Sequence, residues 1–363
     1  MSAVDEVEAA AVGELAAEGL VGAWQARALG HFRALVPGVC CAAAVAVCAT
    51  LLGGLAPVVG APVFAVVGGI AIAVVRKPSA RLRPGIAFTS KRVLQGSIAL
   101  MGLGLSLGEV LSIGARSVPV LLGTLAAALG MAWVAGRLLG LRDNTRTLIG
   151  VGTAICGASA IAAADAVVGA DEADVSYAIA TIFTFNVVAV LLYPTLGHVL
   201  GLSQHAFGVW TGTAINDLSS VVAAATIYGH AAASYGVIVK LTRTLAIIPV
   251  CLGLAIVRGW HRNGGTDRPT ARQVDVRRIV PVFIVAFIAA VAVNTIGLVP
   301  AAWQHGLSDL SMWMITAALA AIGLSTDVRH IRRAGLRPLA LGAVLWVTVG
   351  LASLGLQALT GTL

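Results

Sequence analysis

Two tracts of this chain are nearly identical, and both interrupt long apolar stretches. The first is Gly-Thr-Ala-Ile-Cys-Gly-Ala-Ser at 152–159, and the second is Gly-Thr-Ala-Ile-Asn-Asp-Leu-Ser at 212–219. Glycine and hydroxyl residues loosen a helix, and the backbone groups released in this way find no partner in lipid. Such backbone has to be buried in protein or line a cavity, and paired interrupted segments indicate the binding site of a transporter. The pattern therefore constrains the chain to a helical membrane fold built around two broken helices.

The composition agrees with a membrane location. Of the 363 residues, 58% are hydrophobic and only 11% are charged, and the mean hydropathy is +0.94. Soluble domains carry about 25% charged residues, and apolar stretches of about 20 residues cross a bilayer as helices. We therefore predict an all-α, polytopic helical membrane protein with about eleven transmembrane helices, inverted repeats and two broken helices. The predicted spans are 35–56, 58–75, 93–107, 117–139, 147–168, 175–197, 207–228, 236–257, 279–298, 310–326 and 338–359.

The first 34 residues differ from the rest of the chain. They carry five acidic residues before Arg27 and Arg33, and an acidic start is unlike a signal peptide. Residues 1–34 are predicted to be a separate cytoplasmic or interfacial segment, either an amphipathic helix on the membrane surface or a disordered tail. Residues 35–363 form the predicted transporter domain.

Positive charge is sorted between the two faces of this predicted topology. Of the 24 lysine and arginine residues, 21 fall on one face, and only Arg116 falls on the other, beside the acidic residues of 171–174. Lys240 and Arg243 lie within a span. By the positive-inside rule the basic face is cytoplasmic, which predicts a cytoplasmic N-terminus and an external C-terminus in the bacterial cytoplasmic membrane. The same sorting argues against nucleic acid as a partner.

A weaker self-similarity at an offset of 219 residues predicts an inverted repeat. Residues 104–106 match residues 323–325, and Pro119 matches Pro338. Inverted repeats underlie alternating access in many secondary carriers. The two Gly-Thr-Ala-Ile tracts do not fit this scheme, because both of their predicted spans run outwards. Three explanations stay open: a re-entrant segment, a miscounted span, or similar backbone demands without a repeat.

Four ionisable residues lie at predicted mid-membrane depth, where such residues usually mark function. Lys240 and Arg243 are three residues apart and share one helix face, from which they could bind an anion. They could instead form ion pairs with Asp165 and Asp217, or extend to the membrane interface. Asp165 and Asp217 are also candidates for coupling substrate movement to an ion.

The second tract offers an anion site of its own. Its helix is expected to break at Asn216 and Asp217 and to expose amide donors, although Asp217 could instead take a proton, hold a cation or cap the helix. Asn186 is a further coupling candidate, with bridging between helices as its alternative role. Small residues of the two tracts complete the predicted substrate site, although such hydroxyls often bond their own helix. They are Thr153, Cys156, Gly157, Ser159, Thr213, Ser219 and Ser220.

Together these features resemble the YeiH-like sulfate exporter family. The resemblance covers about residues 35–359, and its most specific parts are 148–161, Asn216-Asp217 with 221–224, and 239–243. That family is similar to carriers of the bile-acid/sodium symporter type, which implies inverted repeats, crossing broken helices and a secondary transporter of an anion. Many members have His before the Asp of the second tract. This chain has Asn216 there, and because Asn does not titrate, we do not expect proton coupling through that position.

The leading hypothesis is a secondary active transporter that exports a small inorganic or organic anion, such as sulfate, sulfite or a sulfonate, by alternating access. A sodium- or proton-coupled organic anion symporter is the alternative, so H+ and Na+ are the candidate coupling ions. A channel would need a continuous pore, and the sequence has no recognisable filter. The lack of a Walker motif argues against ATP as the direct energy source, and the lack of an intramembrane protease motif argues against an enzyme. No cofactor or metal site is predicted. The expected partners are the small anion, the lipid bilayer and a second copy of the chain in a homodimer.

Overall fold

The computed structural model describes residues 33–55, 61–262, 282–326 and 335–363, and the predicted N-terminal segment lies almost wholly outside them. All the regular elements in these ranges are helices, which confirms the prediction of a polytopic helical membrane protein. Six helical stretches of the described residues are long and apolar enough to cross a membrane; five lie within α1, α5, α8, α14 and α15, and the sixth, His230–Leu254, runs through α11 into α12. The helices are α1 Arg33–Leu55, α2 Ala61–Val75, α3 Arg83–Phe88, α4 Leu94–Gly102, α5 Leu107–Leu138, α6 Asp143–Ala154, α7 Ala158–Val168, α8 Glu172–Val199, α9 Gln204–Ala214, α10 Leu218–Tyr228, α11 His230–Thr244, α12 Ile247–Arg262, α13 Val282–Thr295, α14 Ala301–Ser325 and α15 Leu336–Thr360.

The first tract forms a helical hairpin that we call hairpin 1: α6, a tip at 155–157, and α7. Its two outer ends lie at the same end of the molecule, because Arg142 Nη1 lies 3.5 Å from Asp171 Oδ2 and the Thr145 hydroxyl donates to Asp174. The two arms pack together closely because α6 has a glycine, Gly152, where it contacts α7. A Cβ added at Gly152 would lie 2.9 Å from Ile161 Cγ1.

The second tract forms hairpin 2: α9, a tip at 215–217, and α10. Here too both outer ends meet, since Gln204 Oε1 accepts from the Ala231 N–H at 3.0 Å and the Tyr228 hydroxyl donates to the Leu202 carbonyl. Between the hairpins, α8 has 28 residues and is about 42 Å long. Hairpin 2 therefore enters from the opposite end of the molecule.

This arrangement answers the question that the sequence left open, in favour of re-entrance for both tracts. Because the hairpins enter from opposite ends, their first arms, α6 and α9, run in opposite senses, as an inverted pair requires. One expectation about charge is wrong. The acidic residues of 171–174 lie at the same end as Arg142, because hairpin 1 returns to the end from which it started.

The described helices divide into two groups. The hairpin group contains α5 to α12 and α15, and the framework group contains α1 to α4, α13 and α14; most contacts are within groups. Within the framework, α2 and α14 approach so closely that a Cβ added at Gly69 would lie 2.6 Å from the Ala320 carbonyl oxygen. The offset of 219 residues relates α5 to α15, and these two helices pack against each other in antiparallel directions, with Gly123 beside Leu356 and Gly140 near Arg337.

Candidate functional site

The tips of the two hairpins meet in the interior of the hairpin group. A Cβ added at Gly157 would lie 3.6 Å from Asp217 Cβ and 3.7 Å from the Asn216 carbonyl carbon. Gly157 has φ +70° and ψ −127°, a conformation that is open to glycine and strained for other residues. The sequence can therefore turn from α6 into α7 within three residues and still leave room for the second tip.

Lys240 on α11 joins the ends of the two first arms. Its Nζ is fully buried and donates to the carbonyl oxygens of Ile155 and Ile215, at 2.8 and 2.7 Å. Each of these carbonyls follows the last residue of a first arm, α6 or α9, where helix carbonyls lose their internal partners.

Arg243 makes three further bonds of the same kind, and its side chain is 2% exposed. Its Nε donates to the Ala154 carbonyl and its Nη2 to the Thr153 carbonyl, at 2.7 Å each. Its Nη1 donates to the Thr213 carbonyl. The two side chains thus bind five backbone carbonyls, which we call the carbonyl cluster: Thr153, Ala154, Ile155, Thr213 and Ile215.

The carbonyl cluster lies at the C-terminal ends of α6 and α9, where the two helix dipoles present negative charge. The amino group of Lys240 and the guanidinium group of Arg243 compensate that charge, and no carboxylate of the described residues forms a salt bridge with either. The spacing of Lys240 and Arg243 predicted a shared face, and this face is the one in contact with both hairpins. Binding of substrate by these two residues stays a prediction, since the donors named above point to protein backbone.

The opposite side of the tips presents the N-terminal ends of α7 and α10, which carry partial positive charge. The α10 end is capped: Asp217 Oδ1 accepts from the Ser220 N–H at 2.8 Å, and the Ser220 hydroxyl donates to Asp217 Oδ2 at 2.6 Å. The α7 end follows Gly157, which has no side chain to cap it, and the Cys156 thiol lies within hydrogen-bonding reach of the Ala160 N–H. Ser159 in its first turn is exposed, and Cys156 and Ser219 are partly exposed. The amide side is therefore accessible, whereas the carbonyl side is closed.

Two asparagine side chains at the tips have buried polar atoms without a partner. Asn186 Oδ1 accepts from the Asn216 N–H at 3.2 Å, so the α8 residue contacts the tip of hairpin 2. Asn186 Nδ2 and Asn216 Oδ1 make no hydrogen bond to any described residue, although both residues are 2% exposed. Unpaired buried polar atoms are rare in folded proteins and often indicate a bound water or ligand.

Of the remaining predicted residues, two lie near the tips and contact backbone or neighbouring helices, and one lies at the base of hairpin 1. The Thr213 hydroxyl donates to its own helix at the Val209 carbonyl, 2.7 Å away, and lies 2.6 Å from Ser353 Oγ on α15. Thr153 is buried and contributes its carbonyl to the cluster. Asp165 lies near the outer end of α7, where its Oδ1 accepts from the Ala170 N–H at 2.9 Å, away from both tips. Its coupling role stays a prediction.

Sequence reasoning missed the polar residues of α15 that support hairpin 2. Gln357 and Ser353 are fully buried, and Gln357 Nε2 donates to Ser353 Oγ at 3.3 Å. Gln357 Oε1 has no hydrogen-bond partner in the part of the chain that the structure describes. An uncharged polar residue at membrane depth was the signal that singled out Asn186, and the same criterion applied to the last span would have found Gln357.

Comparison with known proteins identifies the family. The family described as Conserved hypothetical protein 698 matches residues 37–342. The chain is 41% identical to a UPF0324 membrane protein of Streptococcus pyogenes serotype M6 over 334 residues, covering 90% of this chain and 97% of that protein. A UPF0324 membrane protein of Streptococcus mutans is 41% identical over 325 residues, covering 87% and 95% of the two chains. One from Fusobacterium nucleatum is 37% identical over 330 residues, covering 85% and 94%. The chain therefore belongs to the membrane protein family described as Conserved hypothetical protein 698.

Proposed function

We propose that this protein is a secondary active transporter that binds a small oxyanion where its hairpin tips meet and exports it by alternating access. One observation carries the proposal: α7 begins at an accessible turn after Gly157, which offers no N-cap side chain, directly beside the tip of hairpin 2. A helix N-terminus with free amide donors is a ready anion site. The buried Nδ2 of Asn186 has no partner among the described residues, and the Oδ1 of the same side chain accepts from the Asn216 N–H, which supports a ligand with acceptor oxygens near this tip.

The local charge balance favours an anion. The two C-terminal and two N-terminal helix ends that meet here cancel approximately in partial charge. With Lys240 protonated, Lys240 and Arg243 contribute two positive charges against the one negative charge of Asp217, and the described tip region then carries a net positive charge. A singly or doubly charged oxyanion would compensate it.

The group that binds is proposed to be a sulfate, sulfite or sulfonate. Such a group has several acceptor oxygens, which suits the amide N–H groups of Ala158 and Ser159 and the Ser159 hydroxyl. Cys156 and Asp217 lie on either side of this turn, where they would limit the size of the anion. The relatives described above support a membrane protein, and the geometry of the tips supports this substrate class.

The proposed orientation keeps the N-terminus in the cytoplasm and the C-terminus outside. Each re-entrant hairpin removes one crossing from the eleven predicted spans, so the number of crossings stays odd. Only the segment between the hairpins changes sides, and the basic clusters stay together on the face that the positive-inside rule assigns to the cytoplasm.

The test measures counterflow of radiolabelled sulfate, sulfite and a small sulfonate in proteoliposomes that contain the full chain. We expect exchange of at least one of them with the wild type. Ser159→Asp should abolish it, because the new carboxylate competes for the first turn of α7, whereas Ser159→Asn has a similar size without the charge and should keep it.

Two outcomes would contradict the proposal. One is the absence of exchange for every anion in a preparation that unfolds cooperatively. The other is equal exchange by the Ser159→Asp and Ser159→Asn variants at the same protein density, which would place the anion away from α7.

A further inference from the structure

The carbonyl cluster has the chemistry of a cation site. Five carbonyl oxygens from two helix ends converge on one small volume, and such ends coordinate Na+ or H+ in secondary transporters with broken helices. In this protein the volume is filled by side chains of α11. Lys240 Nζ bonds one carbonyl from each hairpin, and Arg243 also bonds carbonyls from both.

Both side chains are enclosed, and the helix that carries them is fixed against hairpin 2. They are 0% and 2% exposed, and α11 packs along α9 with almost no gap. A Cβ added at Gly212 would lie 2.8 Å from Val239 Cβ, and one added at Gly208 would lie 2.9 Å from the Ala232 carbonyl oxygen. The side chains therefore occupy the space between the carbonyls, and a hydrated ion has no open route to it.

We propose that Lys240 and Arg243 are positioning residues that serve as permanent counter-cations of the carbonyl cluster, so that no exchangeable Na+ binds where the hairpin tips meet. Only one consequence of this inference rests on the proposed function, namely that transport is not coupled to Na+ at the hairpin tips. Because each cation bonds both hairpins, it also fixes the two tips to each other and to α11. The substrate binds on the amide side, and the cations act on it through the hairpins and their charge.

The test uses the side-chain fragments that alanine substitution removes. Lys240→Ala excises n-propylamine, and Arg243→Ala excises N-ethylguanidine, so the corresponding cations can be added back. In purified full-length protein we expect n-propylammonium to raise the apparent melting temperature of Lys240→Ala by about 2–4 °C at millimolar concentration. N-ethylguanidinium should do the same for Arg243→Ala. Neither cation should stabilise the other variant, the wild type or the control Thr242→Ala, whose hydroxyl bonds its own helix at the Ile238 carbonyl.

Sodium supplies the second arm, and it needs no variant. The melting temperature of the wild type should be the same in a Na+ buffer as in a choline buffer. The melting temperature of Lys240→Ala should be higher in Na+, because Na+ can bind the carbonyl oxygens that Lys240 no longer occupies. Stabilisation of the wild type by Na+ would overturn the proposal. So would folded alanine variants that respond to neither fragment. If neither variant can be purified in folded form, the melting temperatures of the wild type in Na+ and in choline still test the proposal.

These measurements are independent of the substrate. Failure of the wild type to bind any anion would contradict the proposed function and leave the cation experiment intact. A wild type that exchanges anions and is also stabilised by Na+ would overturn only the present inference.

Discussion

Gly157 is the residue on which the meeting of the tips depends most directly. At φ +70° and ψ −127°, an added Cβ would lie 3.3 Å from Ile182 Cγ2 and close to the second tip. We expect Gly157→Ala to lower the free energy of unfolding by about 1–3 kcal/mol through strain and to abolish transport. The control is Gly169→Ala, which has φ +60° but nothing within 4 Å of an added Cβ. Thermal unfolding of both variants checks this, and an equal loss in the two would mean that the tip contact adds nothing.

Two variants of Asp217 distinguish its role as a helix cap from the effect of its negative charge on anion binding. Asp217→Asn keeps an acceptor for the Ser220 N–H, so stability should change little, whereas Asp217→Ala should cost about 1 kcal/mol as a lost helix cap. Removal of the negative charge should also tighten anion binding by roughly tenfold. Titration of the anion against thermal stability measures both quantities. Weaker binding in the Asn variant would indicate instead that Asp217 holds a coupling proton or cation.

Sequence spacing predicted the shared face of Lys240 and Arg243 and the buried polar character of Asn186, because both follow from helix geometry and the cost of polar groups in lipid. It did not predict that the two cations bond backbone carbonyls. Those carbonyls become free only where Ala154 and Ala214 end their helices, and their approach to α11 depends on tertiary packing that no local pattern records.

At the scale of elements, the positions of the apolar segments and of both helix breaks were predictable. The path of the chain through the two broken segments, 147–168 and 207–228, was not. A hydropathy window measures length and apolarity, and residues 147–168 satisfy both whether the chain crosses or turns back. The turn at 155–157 contains Ile and Cys beside Gly157 and thus lacks the polar signature of a loop. Only contacts such as Arg142 with Asp171 distinguish the two paths.

Re-entrance predicts which loops share a side of the membrane. In a variant without the five native cysteines, Arg142→Cys and Asp171→Cys should react with a membrane-impermeant maleimide from one side. Ala231→Cys, at the base of hairpin 2, should react from the other side. If 147–168 crossed the bilayer, Asp171→Cys would react from the side opposite Arg142→Cys. Labelling of right-side-out and inverted vesicles distinguishes these outcomes.

At the scale of the whole molecule, the proposed alternating access would move the hairpin group relative to the framework group. Two cavities lie between them, of about 220 Å³ and 240 Å³, and the larger one is lined by residues of both groups near His230 and Ser308. Among the described residues, two polar contacts join the groups near the larger cavity: Ser308 Oγ lies 3.1 Å from His230 Nε2, and the Leu107 N–H donates to Thr295 Oγ1 at 2.8 Å. Sparse packing of this kind permits relative motion, whereas the close glycine contacts within each group resist it.

A reversible cross-link between the groups should therefore stop transport. The contacts above join side-chain ends, so a bifunctional methanethiosulfonate reagent, which spans more than a direct disulfide does, makes the link. We expect it to cross-link cysteines at His230 and Ser308, in the cysteine-free background, and to reduce anion counterflow at least tenfold, with reduction restoring it, because a covalent link holds the hairpin group at one position on the framework. The matched control cross-links Arg142→Cys to Asp171→Cys with the same reagent, both within the hairpin group, and should leave counterflow near its uncross-linked rate. Full activity of the cross-linked His230–Ser308 pair would mean that the two groups move together and that the anion passes the tips by local opening of the hairpins alone.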